Sequence, residues 1–156
     1  MDIKFKPIGT IYTDYKEKTN VPIQPVFSKT KGKVKIKQEY ITGLKDLKGF
    51  SHIILIYYFN KSKGYSLTVK PFLDNNERGV FATRAPNRPN GIGLSVVKLE
   101  KIKDDVLHIS NVDILNNTPL LDIKPYVQGF DSIKTNKGGW IKYKIKKDHH
   151  SDNRFE

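Results

Sequence analysis

The chain alternates short apolar stretches with polar turns, and most of these stretches have the period of two that is typical of β-strands. Lys33–Lys37 alternates lysine with valine or isoleucine, which predicts a strand with one apolar and one basic face. Ile53–Phe59 is a continuous apolar run rich in β-formers, which predicts a central strand buried on both faces. Further strands or extended segments are predicted at 3–11, 67–69, 80–83, 94–102, 106–109, 112–115, 120–126 and 141–145.

One stretch has helical spacing. Ile41, Leu44 and Leu47 lie three residues apart, which predicts a short helix that ends near Gly49. We therefore expect a mainly β, barrel-like fold with one short helix, formed by residues 1–147 as a single domain. Residues 148–156 are polar and are expected to form a frayed tail. No Rossmann unit is expected, because Gly91-Ile92-Gly93 lacks both the third glycine and a surrounding βαβ unit.

Charge favours a polyanionic partner. The chain of 156 residues has 28 Lys and Arg against 16 Asp and Glu, a net charge of +12, which is expected of a nucleic-acid-binding protein. A general bias towards lysine is the alternative. Cysteine is absent, which excludes thiolate metal sites and disulfides, and no histidine spacing is typical of a metal site. With no apolar run of membrane-spanning length and no signal-peptide pattern, we expect a soluble cytoplasmic protein without metal or membrane partner.

The densest group of polar functional residues lies in Gly79–Ser95. Two prolines stiffen this arginine loop, so Arg84 and Arg88 are expected in nearly fixed positions. Fixed guanidinium groups suit a carboxylate, a phosphate or a nucleotide, although an ordinary polar connection is the alternative. Two other stiff polar loops, 22–24 and 116–119, can meet the arginine loop at one mouth of a barrel and form a small-molecule site. The residues alone leave the small molecule open.

Residues 79–95 almost completely satisfy the pattern G-V-F-A-T-R-x-P-x-R-P-N-x-I-G-x-S. Three further segments agree in order: Ile8–Pro25, Leu44–His52 and Thr118–Tyr126. On these motifs, which cover about residues 7–130, the chain resembles the TsaA-like family. Its characterised members (TrmO) are tRNA methyltransferases that use S-adenosylmethionine.

The resemblance implies a β-barrel that forms a homodimer, with S-adenosylmethionine bound near the subunit interface. The implied reaction is methylation of N6 of threonylcarbamoyladenosine, beside the anticodon of tRNA. The cofactor pocket would be formed by Pro22, Ile23, Gln24, Asn60, Lys61, Arg84, Leu94, Asn116, Asn117, Thr118 and Pro119. The substrate would be bound by Arg88, Asn90 and Lys124, with Arg88 or Lys124 pairing with the threonine carboxylate.

Other assignments depend on the same resemblance. Tyr126 would orient the nucleophile or relay its proton, or it is a core tyrosine at the end of a strand. Gly91 and Gly93 would let the backbone pass close to a bound nucleoside. The basic strand faces would follow tRNA phosphates or be ordinary solvated faces; they carry Lys33, Lys35 and Lys37, and Lys142, Lys144 and Lys146.

Two alternatives stay open. One is a methyltransferase of the same fold that acts on another RNA or a small metabolite. The other is a non-catalytic RNA-binding module, because the chain departs from the family pattern at three places. The family often has Arg at the position of Ile23, His-Gln at Asn60-Lys61 and Asp-Gly at Asn116-Asn117.

Overall fold

A closed antiparallel barrel of six strands organises the chain. The computed structural model describes residues 1–145 and 149–155. The barrel order is β1-β2-β7-β6-β3-β8, and two short strands, β4 and β5, pair separately. The strands are β1 (Gly9–Tyr12), β2 (Lys31–Ile36), β3 (His52–Tyr58), β4 (Thr68–Val69), β5 (Arg78–Gly79), β6 (Ile92–Lys103), β7 (Val106–Ser110) and β8 (Thr118–Pro125). The mainly β, barrel-like fold is thereby confirmed.

The barrel interior is the core. Alternate residues of each strand point inwards, so every second side chain is buried, as Ile53, Leu55 and Tyr57 are in β3. Ile11, Leu107 and Leu120 reach the same interior from β1, β7 and β8 and are completely buried. Closure comes from β1, which pairs with both β2 and β8.

The central strand β3 differs from its prediction. It pairs with β6 and β8 as a central strand should, but only one of its faces is buried. In a barrel the second face points outwards, and there it joins β6 in an apolar surface that we call the outer face. Tyr58 and Leu94 are 48% and 54% exposed on it. The outer face consists of Ile54, Ile56, Tyr58, Ile92, Leu94 and Val96.

The predicted helix is not an α-helix. The chain instead forms two 3-10 helices, Gln38–Leu44 and Leu47–Gly49, separated at Asp46, whose φ of 66° is left-handed and stops any helix. The α-helix of the described residues is α1, Gln128–Asp131, and further 3-10 helices occupy Pro25–Phe27, Val80–Ala82 and Gly139–Ile141.

Several predicted strands are wrong because local turns replace them. Residues 80–82 form a 3-10 helix that Thr83 caps through its Oγ1 bond to the Val80 carbonyl oxygen. Residues 112–115 and 3–7 pair with no strand, and residues 139–144 form a 3-10 helix and a turn. Lys142 and Lys144 therefore do not form a strand face, and Lys146 lies outside the described residues.

The expected fraying of the tail does not occur at 149–155. Pro22 bridges His150, and the amide of Ser151 donates to the carbonyl oxygen of Val21 at 2.8 Å. Phe155 is only 7% exposed and packs edge-on against Phe72, with ring centroids 5.0 Å apart. The polar composition of the tail gave no sign of this aromatic contact. Phe155 packs in a small apolar cluster outside the barrel, with Val69, Val80 and Ala85, and its burial there holds the segment in place.

Candidate functional site

A cavity of about 560 Å³ opens at the end of the barrel where β3 ends and β6 and β8 begin. Its volume lies within the range of small-molecule sites. The three stiff loops predicted to form a site all contribute to this cavity. The segment 22–24 and the arginine loop line it, and the segment 116–119 contributes Thr118 alone. The predicted site residues that line the cavity are Pro22, Ile23, Gln24, Asn60, Lys61, Arg84, Arg88, Asn90, Leu94 and Thr118.

The first wall is the segment 22–24, which the tail holds in place. The amide of Ile23 donates to the carbonyl oxygen of His149 at 3.3 Å, beside the Pro22–His150 bridge. Gln24 then accepts a hydrogen bond from Arg84 Nη1 through Oε1 at 2.5 Å. Two loops that are 60 residues apart in sequence are thus joined at the cavity by an amide and a guanidinium group.

Arg88 has a role inside its own loop. Its Nη1 donates to the carbonyl oxygens of Thr83 and Ala85, at 3.2 and 3.1 Å. These bonds close the arginine loop on itself, since the prolines at 86 and 89 remove backbone donors that could otherwise do so. The guanidinium still faces the cavity, so one side chain both fixes the loop and presents charge.

The segment 116–119 acts mainly through its backbone. The backbone amide of Asn116 donates to the carbonyl oxygen of Tyr15 at 2.7 Å. The side-chain Oδ1 of Asn116 accepts a hydrogen bond from the backbone amide of Thr13. The carbonyl oxygen of Asn117 accepts from Asn60 Nδ2 at 3.3 Å. Asn116, Asn117 and Pro119 do not line the cavity; they position Thr118 and Asn60, which do.

Two predicted residues lie elsewhere. Lys124 pairs with Ile54 in register, and the amide of Tyr126 bonds to the carbonyl oxygen of His52, so both are at the far end of β8 from Thr118. At about 3.4 Å per residue, six residues of strand place Lys124 roughly 20 Å from the cavity of its own chain. Lys124 forms a salt bridge with Asp122 at 2.8 Å. One chain alone cannot bring these two residues into the site.

Sequence reasoning missed a polar network at the cavity floor. Ser95 Oγ donates to Asp113 Oδ1 at 2.7 Å, and Tyr57 Oη lies 3.0 Å from Ser95 Oγ. The signal was present in β6, where Ser95 takes an inward position between Gly93 and Val97. A polar residue at an inward strand position needs a partner, and Asp113 is that partner.

Burial governs the protonation of this network. Desolvation raises the pKa of Asp113 to about 7, opposed by the Ser95 hydrogen bond and by the charge of Arg84. Burial, and secondarily the charge of Asp113, raises the pKa of Tyr57 well above its usual value. Tyr57 therefore stays protonated, while Asp113 is balanced between its two forms near neutral pH.

Contacts within the protein itself explain why the arginine loop has glycine at positions 91 and 93, without any close approach to a ligand. Gly93 faces Tyr57 across the β3–β6 pair, and a Cβ there would overlap the tyrosine ring at Cε2, Cζ and Cδ2. A Cβ on Gly91 would meet Tyr58 Cε2 at 3.3 Å. Neither glycine has a positive φ, so the requirement at Gly93 is room for the ring.

A basic row crosses the barrel on the side of β2, β7 and β6. Lys33 and Lys101 each pair in register with His108, which places three basic side chains on adjacent strands. Burial, followed by the charges of Lys101, Lys33 and Lys103, lowers the pKa of His108 below its ordinary value. Lys35 instead approaches Asp105 at 3.9 Å.

Two kinds of feature are missing from the part of the chain that the structure describes. No helix there is long and apolar enough to cross a bilayer. Within residues 1–145 and 149–155, no group of three or more His, Asp or Glu side chains is arranged to hold a metal ion.

Comparison with known proteins decides the family. Residues 10–132, most of the barrel and all three cavity loops, match the model of the tRNA-methyltransferase O N-terminal domain. The chain belongs to this family. Residues 149–155, which help to line the cavity, lie outside the matched range.

Relatives of the family are similar over most of this chain. A probable S-adenosyl-L-methionine-binding protein of Pyrococcus abyssi is 49% identical over 146 residues, 93% of this chain and 79% of that protein. The tRNA (adenine(37)-N6)-methyltransferase of Rattus norvegicus is 36% identical over 81% of this chain but only 31% of its own length. The crystal structure of TrmO from Pseudomonas aeruginosa matches with a TM-score of 0.76 and 35% identity, over 90% of this chain and 63% of that one.

Proposed function

We propose that the protein is an S-adenosylmethionine-dependent tRNA methyltransferase that methylates N6 of threonylcarbamoyladenosine next to the anticodon. The observation that carries the proposal is the convergence, at one cavity, of the loops that the TrmO resemblance assigns to the cofactor. The family match and the names of the relatives support the same reaction class.

The cavity suits this cofactor in size and chemistry. S-adenosylmethionine has an adenine ring whose flat faces suit apolar contacts, a carboxylate and two cationic groups. The walls provide the apolar surface of Ile23, Phe59 and Leu115, the guanidinium groups of Arg84 and Arg88, and the half-buried carboxylate of Asp113. When bound, the cofactor supplies an activated methyl group, so the main task of the protein is to orient the N6 nitrogen towards it.

We assign Arg84 to the cofactor and Arg88 to the loop and the substrate. Arg84 is held by Gln24 at the cavity rim, where a carboxylate can accept its remaining N–H groups. Arg88 keeps the loop closed and presents its charge beside Asn90, where the threonine carboxylate of the modified base can pair with it. Asn60, Lys61 and Thr118 complete the pocket on the β3 and β8 side.

We further propose a homodimer formed through the outer face. Its six apolar side chains lie contiguously on β3 and β6, and a groove beside them is lined by Phe81, Trp140 and Ile141. A twofold axis crossing β3 near its middle would place the far end of one β8 over the cavity of the other copy. Lys124 and Tyr126 would then reach the site of the partner, with Lys124 near the substrate and Tyr126 near the nucleophile.

Calorimetry with S-adenosylmethionine tests the cofactor assignment. We expect Arg84→Ala to weaken binding roughly 10- to 100-fold, because a charged hydrogen bond is lost. Lys98→Ala is the matched control, since Lys98 pairs with Glu100 on the barrel exterior. Equal affinity of wild type and Arg84→Ala would remove Arg84 from the cofactor site.

Methyl transfer tests the substrate. Purified tRNA with and without the threonylcarbamoyl group is incubated with the protein and labelled cofactor. We expect transfer only to the modified tRNA. Transfer to both would favour a different RNA target, and cofactor binding without any transfer would favour a non-catalytic module. Because its proposed substrate is tRNA, we place the protein in the cytoplasm.

Mixing two impaired variants tests the shared site, with the cofactor kept at a concentration that fills wild-type sites but not Arg84→Ala sites. If Lys124 acts on the partner, a mixture of Arg84→Ala and Lys124→Ala chains forms mixed dimers in which one of two sites has both wild-type residues. With random exchange of subunits, about a quarter of wild-type activity returns. If Lys124 acts elsewhere, or on its own chain, the mixture does not recover activity in this proportion.

A further inference from the structure

Asp113 is unusual among the charged side chains of the cavity. The other acid that lines it, Asp152, is neutralised by Arg154 at 2.6 Å. Asp113 forms no salt bridge with any residue that the structure describes. The cationic side chains of the cavity already donate to protein oxygens; these are Lys18, Lys61, Arg84 and Arg88.

The orientation of the Asp113 carboxylate is fixed by two hydroxyl groups. Ser95 is 1% exposed and gives its single hydroxyl proton to Asp113 Oδ1. Tyr57 must therefore donate to Ser95 Oγ over their 3.0 Å contact, because the serine hydroxyl has no second proton to offer. Tyr57 thus donates to Ser95, and Ser95 donates to the carboxylate, so this chain of two hydrogen bonds favours the ionised form of Asp113 at the cavity floor.

We propose that Asp113 is the anionic subsite of the cavity and pairs with a cationic group of S-adenosylmethionine, either the sulfonium or the α-ammonium. The inference rests on the proposed function for the identity of the ligand. Ser95 and Tyr57 are positioning residues that hold the carboxylate towards this cation. The arrangement explains why a half-buried carboxylate lies beside apolar residues without a cationic partner among the residues that the structure describes.

A binding-linked proton follows from this pairing. With a pKa of about 7, Asp113 is partly protonated near neutral pH, and a bound cation favours its ionised form. The charged or titratable groups that act on it are Tyr57 from β3 and Arg84 from the arginine loop. Tyr57 stays protonated between pH 6 and 8, because burial raises its pKa well above its usual value. Cofactor affinity should therefore rise with pH across this interval.

Isothermal titration calorimetry of the full chain tests the proposal with three ligands. S-adenosylmethionine has both cationic groups, S-adenosylhomocysteine has only the ammonium, and methylthioadenosine has neither. Each is titrated into wild type, Asp113→Asn and Asp105→Asn at pH 6, 7 and 8, in two buffers that differ in ionisation enthalpy. Asn has the shape of Asp and still accepts the Ser95 bond, and Asp105, which lies in the β6–β7 turn, is the charge-matched control.

We expect Asp113→Asn to bind S-adenosylmethionine about 10- to 100-fold more weakly at pH 8. The ratio of the two affinities should shrink roughly tenfold for each pH unit below the pKa of Asp113. Only wild type should release the Asp113 proton when the cofactor binds. The free ligand is the same in both titrations, so the difference in affinity between the two variants depends on the Asp113 carboxylate. A loss confined to S-adenosylmethionine assigns the sulfonium; a loss shared with S-adenosylhomocysteine assigns the ammonium; methylthioadenosine should be unaffected.

Ser95→Ala separates positioning from folding. It leaves the carboxylate in place, removes the donor and should move the pH dependence of affinity to higher pH. Wild-type affinity and proton release in Asp113→Asn would overturn the inference while leaving the proposed function intact. Failure of wild type to bind any of the three ligands would overturn both.

Discussion

Gly93→Ala tests whether the barrel interior, and not a ligand, demands glycine in the arginine loop. The new Cβ would overlap three ring atoms of Tyr57, which is 5% exposed and packed edge-on against Phe59 with ring centroids 5.5 Å apart. The obstacle is the rigid body of a buried ring, so the ring itself has to move. Moving it breaks the 3.0 Å hydrogen bond to Ser95 and disturbs the Phe59 contact.

The cost can be estimated from these contacts. Overpacking a core position costs typically about 1–3 kcal/mol, and losing the tyrosine–serine bond adds about 0.5–1.5 kcal/mol. We therefore expect the free energy of unfolding to fall by about 2–4 kcal/mol, measured by urea denaturation without any ligand. Gly79→Ala is the matched control, because its Cβ would meet nothing within 4 Å and its φ is −55°.

A double variant makes the test specific. Tyr57→Leu shortens the side chain facing Gly93, so adding Gly93→Ala to it should cost far less than in the wild-type background. If Gly93→Ala is as stable as Gly79→Ala, the overlap with Tyr57 does not control this position. If the cost is the same with and without the tyrosine ring, some other contact of Gly93 is responsible.

Three further outcomes are expected. Asp113→Asn should stabilise the ligand-free protein at pH 8. Ionising a carboxyl group whose pKa is raised from 3.8 to about 7 costs at most about 4 kcal/mol, and asparagine avoids this cost. In urea denaturation at several pH values, the increase in the free energy of unfolding should vanish below about pH 4. Asp74→Asn should destabilise the protein most above pH 3.8 and progressively less in acid, because the hydrogen bonds from Lys144 and then Arg78 lower the pKa of Asp74. If the basic row contacts phosphates, each replacement of Lys33 or Lys101 with alanine should reduce the slope of log K against log[salt] for tRNA binding by about one. An unchanged slope would show that the row is an ordinary solvated face.

The barrel could be foreseen because its signal is local. Alternation in β2, β6 and β7 reports which face of each strand meets the interior, and that pattern is present in any few consecutive residues. The errors fall where local and tertiary preferences compete. Residues 80–83 have strand-like composition, yet Thr83 caps a 3-10 turn there. The continuous apolar run of β3 predicted that both faces of the strand are buried, whereas one of them belongs to the exposed outer face.

The site was foreseen only in part for the same reason. Prolines and glycines predicted the stiff loops, and the family resemblance assigned Gln24, Arg84 and Thr118 on them to the cofactor; all three line the cavity. Nothing local relates Asp113 to Ser95, which lie 18 residues apart and meet only through the barrel. Lys124 is the opposite case, since its motif is strong but strand length separates it from the cavity of its own chain.

Closure of the barrel by β1 and β8 also determines when the last open strand edges are paired and protected from aggregation. During synthesis, β1 and β2 can pair early, but one edge of β1 stays open until β8, more than 100 residues later, is available. Such long-range pairing slows folding and leaves an unprotected strand edge meanwhile. The closing step also brings Thr118 to the cavity, but residues 149–155, which line the same cavity, come later in the chain. The nascent chain therefore gains its protection against aggregation before its binding pocket is complete.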